Sequence, residues 1–599
     1  MKELFGRLRP RALAPVASAT EEPTIDLRSL PGSSLRAQVD EEVVTPSAQP
    51  GVQAIEATTQ TWKKKHLVAA YALIWVVAFV TALEQGMTAV FQPYVMSHFA
   101  LHSLTSTTQV LPAIVGGLTR LPLAKLIDVW GRPQGFAIMI GFLTLGLAMM
   151  AACNNVKTFT AAQVFYWIGQ NGMDYILAVF VADTSSLSKR GLMFAFLTSP
   201  WLMTSWVSGP LASLFLGLQE VEGKQVLTGL GWRWGFGIFA VIAPLCALPL
   251  FALMYWQYKQ AVKAGLIPIY EHGRSKMESV KYYLIQFDAF GLLLLISGFA
   301  VFLLPFNLYS RQPDGFASAM VIGLIVLGAC LLVTFALWER FGAPVTYLPY
   351  WLYKDRNVIG ANLLACIMFF SFYLWNGMFI SFLQVVAGQT ITQATYIGNI
   401  YSIGCCLWSL PVGALILKTG RFKWQSLYFG VPITIIGAGF MIRFRQPDVD
   451  IGYIIMCQVL IALGGGTLVI TWQTAVMSAS THQYVAVLLA QLFTFSSIGG
   501  AVGQTVSTAI WTSTFKKSLM HYLPKSELGN VDAIYSDLTK QLAYELGSPG
   551  RLAIQAAYAD SLKPMYIAAV VVLCLMFPCV MMWRSRDIRD FKQVKGTVV

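Results

Sequence analysis

The sequence predicts an all-α integral membrane protein of about fourteen spanning helices, two six-helix bundles with two further helices inserted between them. Three observations lead there. Hydrophobic residues make up 56% of the 599 and charged residues only 12%, about half the charge of a soluble domain. Apolar runs of spanning length, roughly 20 residues each, fall near 67–90, 107–127, 134–153, 159–182, 192–216, 233–255, 286–307, 316–338, 358–387, 395–417, 425–442, 451–474, 485–511 and 564–583. One short pattern also occurs twice, each time where one apolar run meets the next: eight residues separate Leu121-Pro122 from Gly131-Arg132, and eight separate Leu410-Pro411 from Gly420-Arg421. A repeat with one copy per half is the mark of a transporter built from two related bundles. The copies are not equivalent, because Asp128 of the first aligns with Leu417 of the second.

In chain order, residues 1–62 are polar and rich in Pro, Ser, Thr and Glu, which predicts a disordered cytoplasmic tail. The opening MKELFGRLRPR lacks the apolar core of a signal peptide. Residues 63–255 hold the first bundle, 256–285 a cytoplasmic linker, 286–340 the inserted pair, 341–583 the second bundle and 584–599 a cytoplasmic tail. If the N-terminus is inside, 23 Lys and Arg fall on inner segments and 6 on the short outer loops. That bias places both termini, and both copies of the repeat, on the cytoplasmic side. The net charge of +13 follows from the same rule and does not point to nucleic acid. Eight of the nine Cys lie within apolar segments, only Cys153 lies near a helix end, and no CxxC occurs, which argues against disulfides and metal clusters.

The connection 512–563 is long and predicted outside. Leu542, Leu546, Ala553, Ile554 and Ala557 are spaced as in short amphipathic helices, broken at Gly547-Ser548-Pro549-Gly550. Its Tyr535, Tyr544 and Tyr558, with Arg551 held by that bend, are candidates for capturing or gating a ligand.

No enzyme motif is present: there is no GxxxxGK[ST] loop and no HExxH, and the six His are scattered. The informative residues are ionisable ones inside spans, where a charge is costly. These are Glu84, Arg120 and Asp174. Arg120 lies eight residues before Asp128 and Asp174 nine before Asp183, so both sit about 12–14 Å above the inner helix ends. That common depth predicts an Arg120–Asp174 pair, with Asp174 exchanging Arg120 for a proton during transport. Aromatic residues are the second signal. Tyr71, Trp75, Phe369, Phe370, Tyr373, Trp375 and Tyr401 fall on spans predicted to line a central cavity, suited to a bulky, mostly neutral ligand.

The stretch RLPLAKLIDVWGR (120–132) resembles the loop between the second and third helices of the major facilitator superfamily. Its Asp128, Gly131 and Arg132 match that family's residues, and the resemblance implies a latch between the halves. FYWIGQNGMDYILAVFVADTSSLSKRGLMFAF (165–196), Gly209-Pro210 and the GSPGR of 547–551 resemble the fungal siderophore–iron transporters of that superfamily. The resemblance implies a fourteen-helix facilitator fold and proton-driven import of ferric siderophores. It also implies a protein without cofactor or metal site, because the siderophore already wraps the iron. A monomer at the plasma membrane is expected, with endosomal vesicles as the alternative site. The alternative function is an exporter or exchanger of small organic molecules on the same fold. Many facilitator drug antiporters carry an Arg in the fourth span, and none occurs between Ala161 and Ala182.

Overall fold

The computed structural model describes residues 50–98, 112, 114–216, 218–221, 224–227, 231–266, 275–308, 312, 314–346, 352, 354–479, 484–536 and 538–589. The first helix was not expected. α1 (Pro50–Thr61) is folded and buried, where the sequence predicts a disordered tail through residue 62. Its backbone lies on the carbonyls of Ile127 and Asp128, the Trp62 ring meets Phe180 edge-on at 5.7 Å, and Thr61 donates to Gln257 at 3.3 Å. Small residues (Gly51, Ala54, Ala57) permit that approach, and tertiary packing overrides the polar composition.

The first bundle continues with α2 (Lys64–His98), α3 (Arg120–Trp130), α4 (Arg132–Ala152), α5 (Val156–Thr184), α6 (Leu187–Thr198), α7 (Trp201–Leu216) and α8 (Gly231–Lys263). α6 and α7 form one expected span broken at Ser199-Pro200, because a proline lacks the donor that an unbroken helix needs. The connection after α7 holds a two-stranded antiparallel hairpin, β1 (Leu218–Val221) with β2 (Lys224–Leu227), in an otherwise helical molecule.

The inserted pair begins with α9 (Lys276–Gln286), held at its start by a capping box of Ser275 and Glu278. It meets α10 (Ala289–Leu303) at 51°, the turn being made by Asp288 at φ +40°. α10 packs on α11 (Ala319–Leu337), whose Ile322, Val326 and Val333 are exposed apolar residues of the kind lipid covers. The second bundle comprises α12 (Arg356–Val385), α13 (Ile391–Thr419), α14 (Val431–Phe444), α15 (Ile451–Met477), α16 (Val485–Tyr522), the short α17 (Val531–Ser536) and α18 (Leu538–Leu542), and α19 (Pro549–Cys574).

Among the described residues ten helices are long and apolar enough to cross a membrane, and up to eleven if the bent pair α9–α10 is one span. Helices also stand where the sequence places its second, fourth and fifth spans, but they are partly described, more polar or broken (α3, α5, α6–α7). The long connection is narrower than expected. α16 runs 38 residues, about 57 Å at 1.5 Å per residue, well past an apolar layer of about 30 Å. The apolar residues 553–557 belong to α19 itself and not to a separate loop helix. The face carrying Gly131 and Gly420 is called inner below, and the opposite face outer.

Candidate functional site

Arg132 is the hub of the inner end of the first bundle. It opens α4 directly after Gly131, whose φ of +104° suits only glycine, and Pro133 fixes the first helical turn. Its Nε donates to Asp183 Oδ2 at 3.0 Å, and its Nη1 donates to Asp128 Oδ1 at 3.2 Å and to the Ile127 carbonyl at 3.0 Å. All three charged residues are buried. Every one of these partners lies in the first bundle. Asp128, Gly131 and Arg132 therefore join α3, α4 and α5, where the sequence led us to expect a latch between the halves.

The halves meet at this level through neighbours. Tyr175 donates to the Ala486 carbonyl of α16 at 2.7 Å. Arg190, 0% exposed, donates to the Ala182 carbonyl of α5 at 2.8 Å and to the carbonyl of Ser185, just past its end, at 3.1 Å, and its Nη1 lies 3.7 Å from Met477 Sδ at the end of α15. α6 and α13 cross where Gly413 faces Leu192 so closely that a Cβ would stand 3.0 Å from the Leu192 backbone. In the sequence Asp183 marks only the inner end of its helix; the signal for its role is its ionisable side chain at the end of an apolar run, while for Arg190 the basic charge rule predicts no specific partner.

Higher up, Glu84 is buried in the middle of α2. It accepts from Thr88 Oγ1 at 2.6 Å and from Tyr166 at 3.0 Å. Arg120 and Asp174 do share a level, but they form no ion pair. The Arg120 guanidinium donates instead to Asn171 (Nη2 to Oδ1, 2.5 Å) and across to the second bundle, to Ser497 Oγ at 3.0 Å and the Phe493 carbonyl at 3.3 Å. The expectation failed because a guanidinium has five donors, and carbonyl and hydroxyl acceptors on α16 supply partners that spacing on α3 and α5 could not reveal. Asp174 accepts only long bonds from Gln170, at 3.4 Å. Asp174 is exposed, unlike its buried neighbours Met173 and Tyr175. Arg120 acts on it electrostatically without pairing with it.

The aromatic candidates divide. Phe369, Phe370, Tyr373 and Tyr401 are half-buried, Phe369 and Tyr373 being stacked at 6.3 Å. Trp75 is also half-buried and donates to Ser199 at 3.0 Å. Trp375 and Tyr71 are not wall residues. Trp375 is 2% exposed and stacks on Tyr566 at 5.7 Å, while Tyr71 is 7% exposed and its hydroxyl pairs with Thr184 at 3.0 Å. Both rings fill helix–helix gaps, which helical spacing alone does not distinguish from a lumen face.

At the outer end, Gly547 at φ +87° makes the expected bend, Ser548 caps α19 by accepting from the Arg551 N–H at 3.2 Å, and Pro549 occupies the first turn. Arg551 does not reach over an open mouth. It is buried, donating to the carbonyls of Val385 at 3.1 Å, Gln384 at 3.0 Å and Gln541 at 2.6 Å. A cation on the exposed carbonyls of a helix end is favourable, and this one fastens α18 and α19 to the end of α12. Tyr558 donates to Gln541 at 2.8 Å, Tyr535 packs on Phe515 at 6.2 Å, and Tyr544 donates to Glu527 at 2.7 Å. The bonds from Tyr544 and Asn530 hold the Glu527 carboxyl below its ordinary range, so its contribution is present at neutral pH and lost only as pH falls through that lowered value. The described part of this connection is thus a cap on the second bundle. Arg551→Ala takes a charged donor from the Gln384 and Gln541 carbonyls and leaves Val385 only the Gln555 amide at 3.2 Å; it should lower the melting temperature and membrane level by an amount matching about 3 kcal/mol, with the KM of the surviving protein unchanged, and a raised KM at full stability would return Arg551 to a ligand role.

Among the described residues no group of three or more His, Cys, Asp and Glu could hold a metal ion.

Two bundles meeting along α3–α16 and α6/α7–α13, with ionisable residues at mid-depth, define a membrane transporter. Its fold is shared with a bacterial homologue of the human lysosomal transporter Spinster in an inward-facing, unoccupied conformation, at 15% identity and TM-score 0.52 over 87% of this chain and 98% of that one. It is shared equally with the proton:xylose symporter XylE, at 11% identity and TM-score 0.51 over 90% and 99%. Residues 74–504 match the Major Facilitator Superfamily model. MFS siderochrome iron transporter 1 of Ajellomyces capsulatus is 54% identical over 93% of both chains. Siderophore iron transporter mirB of Emericella nidulans is 41% identical over 93% of this chain and 91% of its own. The chain belongs to the fungal siderophore–iron transporter family of the major facilitator superfamily, and it is not an enzyme.

Proposed function

We propose that the protein imports ferric siderophores of the hydroxamate type, coupled to protons, by alternating access between the two bundles. The observation that carries this reading is the 54% identity to a siderochrome iron transporter along 93% of each chain. The chemistry of the spans agrees with it. A chelate that encloses its own iron needs no protein ligand set, only a roomy wall of rings and a few polar groups. Asp174, exposed and with only long bonds to Gln170, is the proton carrier; Glu84, held by Thr88 and Tyr166, is the first acceptor on the outer side. The inner ends of the bundles touch at Tyr175–Ala486, so this conformation is closed on that side.

In this reading the chain makes fourteen spans, has both termini in the cytoplasm, and works as a monomer in the plasma membrane. The test is uptake of radio-iron-labelled ferric trihydroxamates by fungal cells stripped of their own siderophore carriers. Expression of this protein should produce saturable, protonophore-sensitive uptake. Iron-free efflux of preloaded organic ligand without uptake would favour an exporter.

A further inference from the structure

We infer that Arg120 is the tie that holds the inner side closed, and that it changes partner from α16 to Asp174 when the bundles part. This rests on the two-bundle alternating-access reading and adds a positioning role to it. Five features converge. Arg120 bonds to both bundles at mid-depth: to Asn171 of α5 in its own, and to Ser497 and the Phe493 carbonyl of α16 in the other. Its guanidinium also lies over the Phe493 ring, 5.2 Å from the centroid. The helices are in close approach there, since any Cβ on Gly117 would collide with Ser497. The next crossing bond toward the inner face, Tyr175 to Ala486, runs to the same helix, α16. Asp174 lies three residues beyond Asn171 on one helical face, with only 3.4 Å bonds to Gln170.

Movement of α16 away from α3 strips two acceptors from a cation in a poorly hydrated site, where an unpaired charge costs several kcal/mol. Asn171 moves with Arg120 and stays bonded. The nearest anion on that face is Asp174, so the open state is stabilised by the contact that the closed state lacks. Of the groups around Asp174, Arg120 of α3 is the charged one that acts on it, and Gln170 of its own helix is its hydrogen-bond partner. A ligand can thus bias the equilibrium only by what it does to this exchange and to the contacts around it.

The test reads inner closure directly and needs neither siderophore nor proton gradient, so its failure leaves the transport reading to its own uptake assay. Ala486→Cys is placed in the full chain, and a membrane-impermeant maleimide is applied to the inner face of vesicles. Labelling is compared with the parent that lacks the added cysteine. Ser497→Ala removes a partner of the tie and should speed labelling of Cys at this position roughly tenfold, as the loss of one hydrogen bond to a charged group implies. Asp174→Asn removes the partner of the open state and should slow it. Arg120→Lys should restore part of the closure that Arg120→Gln loses. Opposite signs for Ser497→Ala and Asp174→Asn support the exchange, because a merely structural role would loosen the bundle in both. Unchanged labelling in Ser497→Ala, or acceleration in both variants, overturns it.

Discussion

Arg132→Gln should abolish transport and strongly destabilise the first bundle. The substitution leaves Asp128 and Asp183 buried, close together and without their shared cation. Breaking one buried pair by removing a partner costs about 3–5 kcal/mol, and here one side chain serves two. Arg132 also bonds the Ile127 carbonyl, so the turn at Gly131 loses its brace as well. Thermal unfolding in detergent should shift down by several degrees, and α1, which lies on the Ile127 and Asp128 carbonyls, should become sensitive to protease. Asp128→Asn keeps the Asp183 contact, so it should be milder in stability while still impairing uptake. Full stability of Arg132→Gln would show that the three charges do not hold the bundle together.

Asp174→Asn should lose uphill accumulation while keeping downhill exchange. If one proton accompanies each substrate, a pH difference of two units sustains about a hundredfold accumulation, since each 1.4 kcal/mol is a factor of ten. A side chain that carries no proton reduces that ratio to about one. Counterflow, which needs only binding and the movement of loaded carrier, should persist. Glu84→Gln should be less selective in its effect, because Glu84 also fastens Tyr166 and Thr88. Accumulation by Asp174→Asn at the wild-type ratio would move the coupling role to Glu84.

The sequence made the architecture legible because a membrane span leaves a long, uninterrupted signal. Apolar runs marked the helices. The residues that could be read correctly were those whose role is local in the chain. Gly131 and Gly547 do turn. What could not be read was which side chains meet across helices. Arg120 and Asp174 share a level as expected, yet Ser497, 377 residues from Arg120, takes the bond. Trp375 and Tyr71 face neighbours because helical rotation, which aromatic content does not encode, turns them away from the lumen. Arg551 looked like a ligand group at a bend and is instead the fastening of a helix end. α1 was missed because its few apolar residues bury themselves only once the inner face of the first bundle exists to receive them.

Inward movement of a ferric siderophore on a proton gradient can be read in one reconstituted system. The most direct measurement uses the purified full chain in sealed liposomes, acidic outside and neutral inside, with radio-iron-labelled ferric trihydroxamate added externally. The account predicts iron accumulating inside together with the labelled organic chelator, above the external concentration, and collapsing when a protonophore is added. Accumulation that ignores the pH gradient, or labelled chelate that moves only outward, would contradict it.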